Sequence, residues 1–454
     1  MKKNFRSVLA LILCIAMLLA VAGCASKAPT EASTKAPVAD SSSESLAKTG
    51  EKVTITYQSW NPYPEQLAST KEDFEKKFSN IALNYVMVPY SDHIQKLKID
   101  LASGQGPDVF ALQTGAPLKE FGDFEVDLAP LAVEKWGADW EKNFIPFTLQ
   151  LIKNGNSYVA LPLGTGYAGM IWADLSFFTK YNLQVPKNLT ELKTVTKTLR
   201  EKGEKYPLAI GAKDDWINLD MWMNIANDIS SEKLYSAIDG KTPFTDAGLV
   251  ESFKIWQSLF TEKVFQDGAL GVNMYVDTTD LFEREGIVPM VTNGAWLINS
   301  YPNPDPAMSK IFNGGEHPHT TFTMDWNNDG KPAPVQSNVE VAMSMNKDSK
   351  LQKEAWDFIS YMMYDGQDIL INKFLMYFPS RTDLVYSGEL SEEGKKNFNI
   401  LMDWGANNVG GYRENPYPEL KQAIANNLKA LALGEATPEK AAEAVEAVSK
   451  TTKR

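Results

Sequence analysis

The chain has 454 residues, 44% of them hydrophobic, with 45 Lys and Arg against 57 Asp and Glu. A net charge of −12 argues against tracking nucleic-acid phosphates, which takes a basic face. With 2 cysteines, Cys14 and Cys24, both near the start, and 3 histidines (His93, His317, His319), the body has no disulfide scaffold, Cys-ligated zinc site or cysteine nucleophile.

Met1 to Arg6 is cationic, and Val8 to Ala22 is an unbroken apolar run. That run is short for a membrane span but suits a signal-peptide core. It closes on Val21-Ala22-Gly23-Cys24, which resembles the lipobox of bacterial lipoproteins. The resemblance implies a signal peptide over 1–23, cleavage before Cys24 and a diacylglyceryl group on its thiol; the alternative is a plain secretory signal with an incidental cysteine. Ala25 to Gly50 holds only Val38 and Leu46 as large apolar residues. Such a stretch cannot offset its ordering entropy, so 24–52 is expected to be a disordered tether reaching roughly 30 Å. The expectation is an extracytoplasmic protein, lipid-anchored to the cell membrane.

Past the tether, Val53 to Tyr57 alternates as a strand, helical spacing runs through Phe74 and Phe78, and Ile81 to Val88 reads as a second strand before a helix over His93 to Ala102. Asn188 opens another helix that Gly203 stops. Asp348 and Ser349 are candidate caps for the helix of Trp356, Ile359 and Met363, and Thr437-Pro438 pairs an N-cap with a first-turn proline. Strands separated by helices predict α/β architecture with largely parallel sheets.

Several stretches imitate chemistry. Gly164-Thr165-Gly166-Tyr167-Ala168-Gly169 matches a dinucleotide fingerprint, but Met170-Ile171-Trp172 continues as an apolar run where a helix should start; a loop between lobes is the expected structure. Asp325, Asn327 and Asp329 before Gly330 fit the first half of a calcium loop, with Gln336 where a bidentate Glu is wanted. Either calcium or an Asx-rich turn satisfies that pattern. Glu316-His317-Pro318-His319 reads as a solvated loop. No nucleophile-elbow, zincin or Walker pattern occurs, so no catalytic residue is assigned and no other cofactor is expected.

The aromatics are more informative. All 11 tryptophans follow the tether. Trp256 and Trp356 fit core stripes, whereas Trp60-Asn61-Pro62, Asp215-Trp216, Asn293-Gly294-Ala295-Trp296 and Trp404-Gly405 sit beside polar or loop-forming residues. An indole there can stack on the C–H face of a sugar while nearby amides and carboxylates bond its hydroxyls. Core burial is the competing reading for each.

Five stretches in order then resemble extracellular solute-binding proteins of sugar-type bacterial ABC importers: Ala102-Ser103-Gly104-Gln105-Gly106-Pro107-Asp108-Val109-Phe110, Tyr158 to Leu163, Trp172-Ala173-Asp174 with Tyr181 to Lys187, Gly286 to Met290 leading to Asn293-Gly294-Ala295-Trp296, and Phe378-Pro379-Ser380-Arg381. The resemblance implies a two-lobed α/β fold of the periplasmic-binding-protein type with a hinged ligand cleft. One lobe would span 53–162 and 336–382, the other 163–335 and 383–454. It further implies that Trp60, Asn61, Gln113 and Thr114 on the first lobe, and Tyr167, Asp215, Trp216 and Trp296 on the second, hold a carbohydrate. Trp60, Trp216 and Trp296 would be platforms; Asn61, Gln113 and Asp215 would bond hydroxyls. The implied partners are ABC permease subunits and the membrane reached through the lipid, with the protein itself a monomer and not an enzyme. A lipid-anchored surface glycosidase and a sensory or adhesive sugar-binding protein are the rival readings.

Overall fold

The structure, a computed structural model, describes residues 52–283, 285–300 and 318–454; the segments expected as signal peptide and tether, with Cys24, and His317 lie outside them. Among the described residues no helix is long and apolar enough to cross a membrane.

β1 (Val53–Ser59) turns Ile55 and Tyr57 fully into the core, as the alternation requires. The helix Pro64–Lys77 that follows has a proline in its first turn and Lys76 and Lys77 in its last, where each favours the helix. Its Leu67, Thr70 and Phe74 are buried, and it leads into β2 (Ile81–Met87), which pairs in parallel with β1. The helix Tyr90–Ala102 then returns the chain to the wholly buried β3 (Val109–Leu112). A short hairpin, β4 (Lys153–Asn154) and β5 (Ser157–Tyr158), precedes β6 (Leu161–Ala168) and β7 (Met170–Asp174). The remaining strands are β8 (Met290–Asn293), β9 (His319–Phe322), β10 (Val335–Met345) and β11 (Val409–Tyr412).

The main sheet runs β11-β10-β3-β1-β2, with β6 also on β10, and a second sheet runs β8-β7-β9. The sheets are mixed rather than largely parallel. β1 is parallel to β2 and β3, and β10 to β11, but β10 is antiparallel to β3 and β6, as β7 is to β8 and β9. Two hydrophobic cores result. The first draws on 55–163 and 339–377; the second draws on 170–335, Leu375, Phe378 and 401–445.

Two strands run from one core to the other. β6 and β10 pair from Leu161↔Met343 to Ala168↔Gln336, and Phe378 joins the free edge of β6 through both backbone bonds to Thr165 (2.8 and 3.0 Å). The glycine-rich stretch expected as a loop is therefore strand β6. Its glycines serve side-chain packing: a Cβ on Gly164 would stand 2.2 Å from Tyr377, and one on Gly166 would stand 3.0 Å from Glu340.

Local signals held where a side chain had a backbone N–H within reach. Asn188 accepts from Glu191 N–H (2.9 Å) and Thr437 from Lys440 N–H (3.3 Å), capping their helices. Asp348 and Ser349 do not cap: the N-cap is Leu351. Ser349 instead donates to Asp108, whose other oxygen accepts from Thr56 N–H, so Asp108 ties β1 to the turn after β10. His319, read as part of a solvated loop, is 1% exposed in β9.

Candidate functional site

The second-lobe wall of the cleft grows from the start of the helix Asp215–Ile238. Asp214 accepts from Met274 N–H (2.8 Å), and Gly211 lies so close to Met274 that a Cβ would come within 2.2 Å of its backbone. This junction lays Tyr275 on Trp216, centroids 5.8 Å apart and planes at 28°. Trp296 arrives from the turn after β8. There a Cβ on Gly294 would meet its ring at 2.0 Å, so only glycine lets the indole fold back to 5.9 Å from Trp216. Both indoles border the Arg413 guanidinium, at 4.6 Å for Trp296 and 5.8 Å for Trp216, within cation–π range. Trp296 Nε1 is buried and has no acceptor.

Arg413 follows β11, and its N–H donates to Ser337 O (2.9 Å). Its Nε and one terminal nitrogen each bond Asp220 at 2.8 Å, and the other reaches Glu340 at 3.3 Å. All three residues are buried. Burial pushes the Asp220 carboxyl up to about 6 against the opposing pull of Arg413. Glu414 is equally enclosed, yet Lys421 and Arg413 outweigh its burial and hold it below the usual range. Trp216, Asp220, Arg413, Glu414 and Asn415 enclose a cavity of about 10 Å³, the space of one water molecule.

The first-lobe wall stands opposite. Trp60 packs edge-on against Tyr90 (5.1 Å) and His93 (5.2 Å). His93 is fully buried, donates to Ala111 O at 2.7 Å, and is held below the usual histidine range by burial. Tyr90 donates to Gln113 Oε1 (2.5 Å) and Tyr377 to Asn61 Oδ1; Thr114 beside Gln113 is 1% exposed. The Tyr90 hydroxyl, raised chiefly by burial, feels Glu414, Arg413, Glu340 and Asp220, so this wall confronts the charged cluster. Tyr275 keeps 48% of its surface open, yet is enclosed enough for burial to hold its hydroxyl well above the phenol range. At one end the walls touch: Ala116 N–H donates to Asn415 O (3.1 Å), and Lys119 lies 4.3 Å from the ring of Tyr417.

Of the residues read from sequence, Trp216 and Trp296 come together, while Trp60 packs on Tyr90, which holds Gln113, and Asn61 is held by Tyr377. Two do not join them. Asp215 turns to the helix Pro418–Leu433, with Lys429 Nζ 2.5 Å and Gln422 Nε2 3.5 Å from its oxygens. Tyr167 projects from the face of β6 opposite Gly166, packing at a tilt on Phe378 (5.1 Å), with its hydroxyl 2.1 Å from where a Cβ on Gly405 would stand.

The loop of Asp325, Asn327 and Asp329 is an Asx-rich turn. Asp325 accepts from Asp329 N–H and Gly330 N–H, Asn327 from Asp329 N–H, and Asp329 from Lys331 N–H, all at 2.8–3.0 Å. Their oxygens cap their own turn, and among the described residues no three His, Cys, Asp or Glu groups are placed to hold a metal.

Arg413, Asp220, Glu340, Tyr90 and Tyr275 escaped the sequence reading. Glu340 did carry a signal, as the one charge within a strand buried along its whole length.

The chain matches the model of a family described as bacterial extracellular solute-binding protein over residues 63–368. An uncharacterized ABC transporter extracellular-binding protein of Pyrococcus horikoshii is 28% identical over 168 residues, 35% of this chain and 37% of that protein. The chain thus aligns with little more than a third of that relative's length. A putative binding protein of Brucella abortus is 24% identical over 311 residues, covering 66% of this chain and 68% of that one. A solved structure described with xylan utilization by Caldanaerobius polysaccharolyticus superposes with a TM-score of 0.75 at 18% identity, over 87% of this chain and 99% of that one. Maltose-bound MalE3 of T. maritima gives 0.70 at 19%, over 88% and 99%. At these identities the likeness establishes the fold: α/β, two-lobed, of the periplasmic-binding-protein type.

Proposed function

The chain belongs to the bacterial extracellular solute-binding protein family, a family of binding proteins and not of enzymes, and from that membership we propose that it captures a carbohydrate for an ABC importer. The observations that carry the reading are the Trp216–Tyr275–Trp296 cluster and the amides of Gln113 and Asn61 held in place by tyrosine hydroxyls, which on this reading would face each other across the cleft. Sugars present C–H faces and a rim of hydroxyls, and this pairing of flat apolar rings with fixed polar groups is complementary to both. That the solved relatives include a maltose-bound protein and one in complex with stachyose supports the class.

The lobes would be 53–162 with 336–382 and 163–335 with 383–454, turning about β6, β10 and the Thr165–Phe378 pairing. A ligand that touches both walls only when they are shut binds the closed state better, and that differential alone shifts the population. A permease would read the closed form. Cys24 would carry the lipid that keeps the receptor at the membrane, a point that mass spectrometry of the membrane-extracted protein decides.

The test of the binding reading is a thermal-shift screen of neutral oligosaccharides on the purified body. A ligand at 100 times its Kd adds about 2.7 kcal/mol, and the best hit should also shrink the radius of gyration in small-angle scattering. Absence of any shift across gluco-, xylo-, manno- and galacto-oligosaccharides would exclude the carbohydrate reading.

A further inference from the structure

Glu340 lies where the pairing of β10 with β6 slips, between Val339↔Thr165 and Val341↔Gly164. A bulge of this kind re-aims the extra side chain out of the regular ladder. It has carried a carboxylate that is only 8% exposed to the point where the strands pass from one lobe to the other. One oxygen, Oε2, is occupied by Asn338 Nδ2 (3.1 Å) and Arg413 (3.3 Å). The other, Oε1, has no partner among the described residues. Through Arg413, 3.3 Å from Oε2 and 4.6 Å from the Trp296 ring, it stands beside the aromatic cluster, and its charge is felt by Tyr90, Tyr377 and Tyr275.

The positive charges beside it are spent. Arg413 has Asp220 on two nitrogens and Glu340 on a third, and Lys421 is bonded to Glu414. Three acids thus stand against two bases, with both bases paired and one acid oxygen unspent. A ligand carboxylate, sulfate or phosphate would find no free guanidinium or ammonium here and would meet Glu340, and a buried like-charge encounter is costly.

Resting on the carbohydrate reading of this cleft, we propose that Glu340 is its specificity-determining residue, which rejects anionic sugars and accepts a hydroxyl or ammonium donor from neutral or amino sugars on Oε1. Arg413 is then a positioning residue: it holds Glu340 and underlies the Trp296 platform, and it does not receive an anion.

Two measurements test this. In the first, calorimetry compares oligosaccharides of equal length on the wild-type protein: neutral cellotriose, chitotriose, its deacetylated amine and trigalacturonate. Neutral or amino trimers should bind and the uronate should be at least tenfold weaker, with Glu340→Gln narrowing that gap. Equal or tighter uronate binding would overturn the proposal. The second needs neither a ligand nor the Glu340 variant. Fluorescence quenching by iodide and by caesium, each scaled to N-acetyltryptophanamide, is compared between wild type and Trp216→Phe to isolate the Trp216 contribution. Caesium should reach Trp216 at least threefold more effectively than iodide. Iodide quenching as effective as caesium would refute an acidic cleft even if sugars bind; caesium preference with no sugar bound would retain the charge selection and discard the carbohydrate reading.

Discussion

The two walls of the cleft present different chemistry, although each is seated on its own hydrophobic core. On the first-lobe wall, tyrosine hydroxyls fix the side-chain carbonyls of Gln113 and Asn61, leaving amide N–H donors in set orientations. Trp60 is held edge-on between Tyr90 and His93. On the second-lobe wall, Trp216, Tyr275 and Trp296 form a continuous aromatic surface over a paired arginine, and Trp296 Nε1 lacks an acceptor. The difference divides the labour. On the proposed carbohydrate reading, oriented donors would read a pattern of hydroxyls, whereas stacked faces would supply most of the attraction, because ring burial outweighs a single neutral hydrogen bond of about 1 kcal/mol.

The sharpest way to break the comparison is at Arg413. Arg413→Met leaves Asp220 and Glu340 buried without their cation, a change that costs about 3–5 kcal/mol. Urea unfolding should register the loss in full. Adding Asp220→Leu should recover part of it, since an apolar pair is tolerated where a lone charge is not. On the other wall, Gln113→Ala should cost only about 1 kcal/mol. Equal losses at the two positions would show that the second wall does not depend on its buried ion pair.

The lobes also differ in how they answer pH. In the first core Glu125 is 8% exposed, with Oε1 taken by Ser344 (3.0 Å) and Oε2 without a partner. Burial raises it from 4.5 to about 8. A carboxyl raised on folding favours the native state below its unfolded pKa, so its contribution is full near pH 4.5 and is lost as pH climbs through 8. Asp220 behaves likewise over the lower window from 3.8 to about 6. Glu125→Gln should therefore match wild type at pH 4.5 and exceed it by about 2–4 kcal/mol at pH 9. Parallel stability profiles for the two proteins would remove Glu125 from the account.

Next in size is the contrast between tryptophans. Trp296→Ala removes a ring from the binding surface, so affinity for the best oligosaccharide should fall by about 2 kcal/mol, roughly thirtyfold, with a small change in melting temperature. Trp60→Ala removes a ring that also packs on the first core. Its main cost should appear in stability, with a lesser loss of affinity. Calorimetry and melting curves on both variants decide the division, and a reversed pattern would exchange the roles of the walls.

Sequence reading reached the α/β class through local patterns and the two-lobed fold through the resemblance of five stretches in order. Alternation marks β1, Asn188 and Thr437 mark helix starts, and glycine before Trp296 marks a turn that folds an indole back. It missed the charged cluster because Arg413 meets Asp220 across 193 positions and Glu340 across 73, and no local period encodes such a meeting. A strand shows alternate residues to opposite faces, so which face of β6 carries Tyr167 was not legible without knowing the strand's partner.

Asp215 tests where the second wall ends. The resemblance makes it a group that bonds sugar hydroxyls, yet its carboxylate faces Lys429 and Gln422, and both members of the ion pair are more than a third exposed by side chain (38% and 35%). A pair that accessible to solvent contributes under about 1 kcal/mol to stability. The acid carried into the cleft by the same helix is Asp220, more than a turn further on and 3% exposed. If that division is right, Asp215→Asn should leave oligosaccharide affinity within about threefold of wild type, less than 0.7 kcal/mol, while Asp220→Asn weakens it further by loosening Arg413 beneath Trp296. A tenfold loss for Asp215→Asn would mean that the carboxylate swings from Lys429 to the ligand, and the second wall would then extend past Trp216 to the helix terminus.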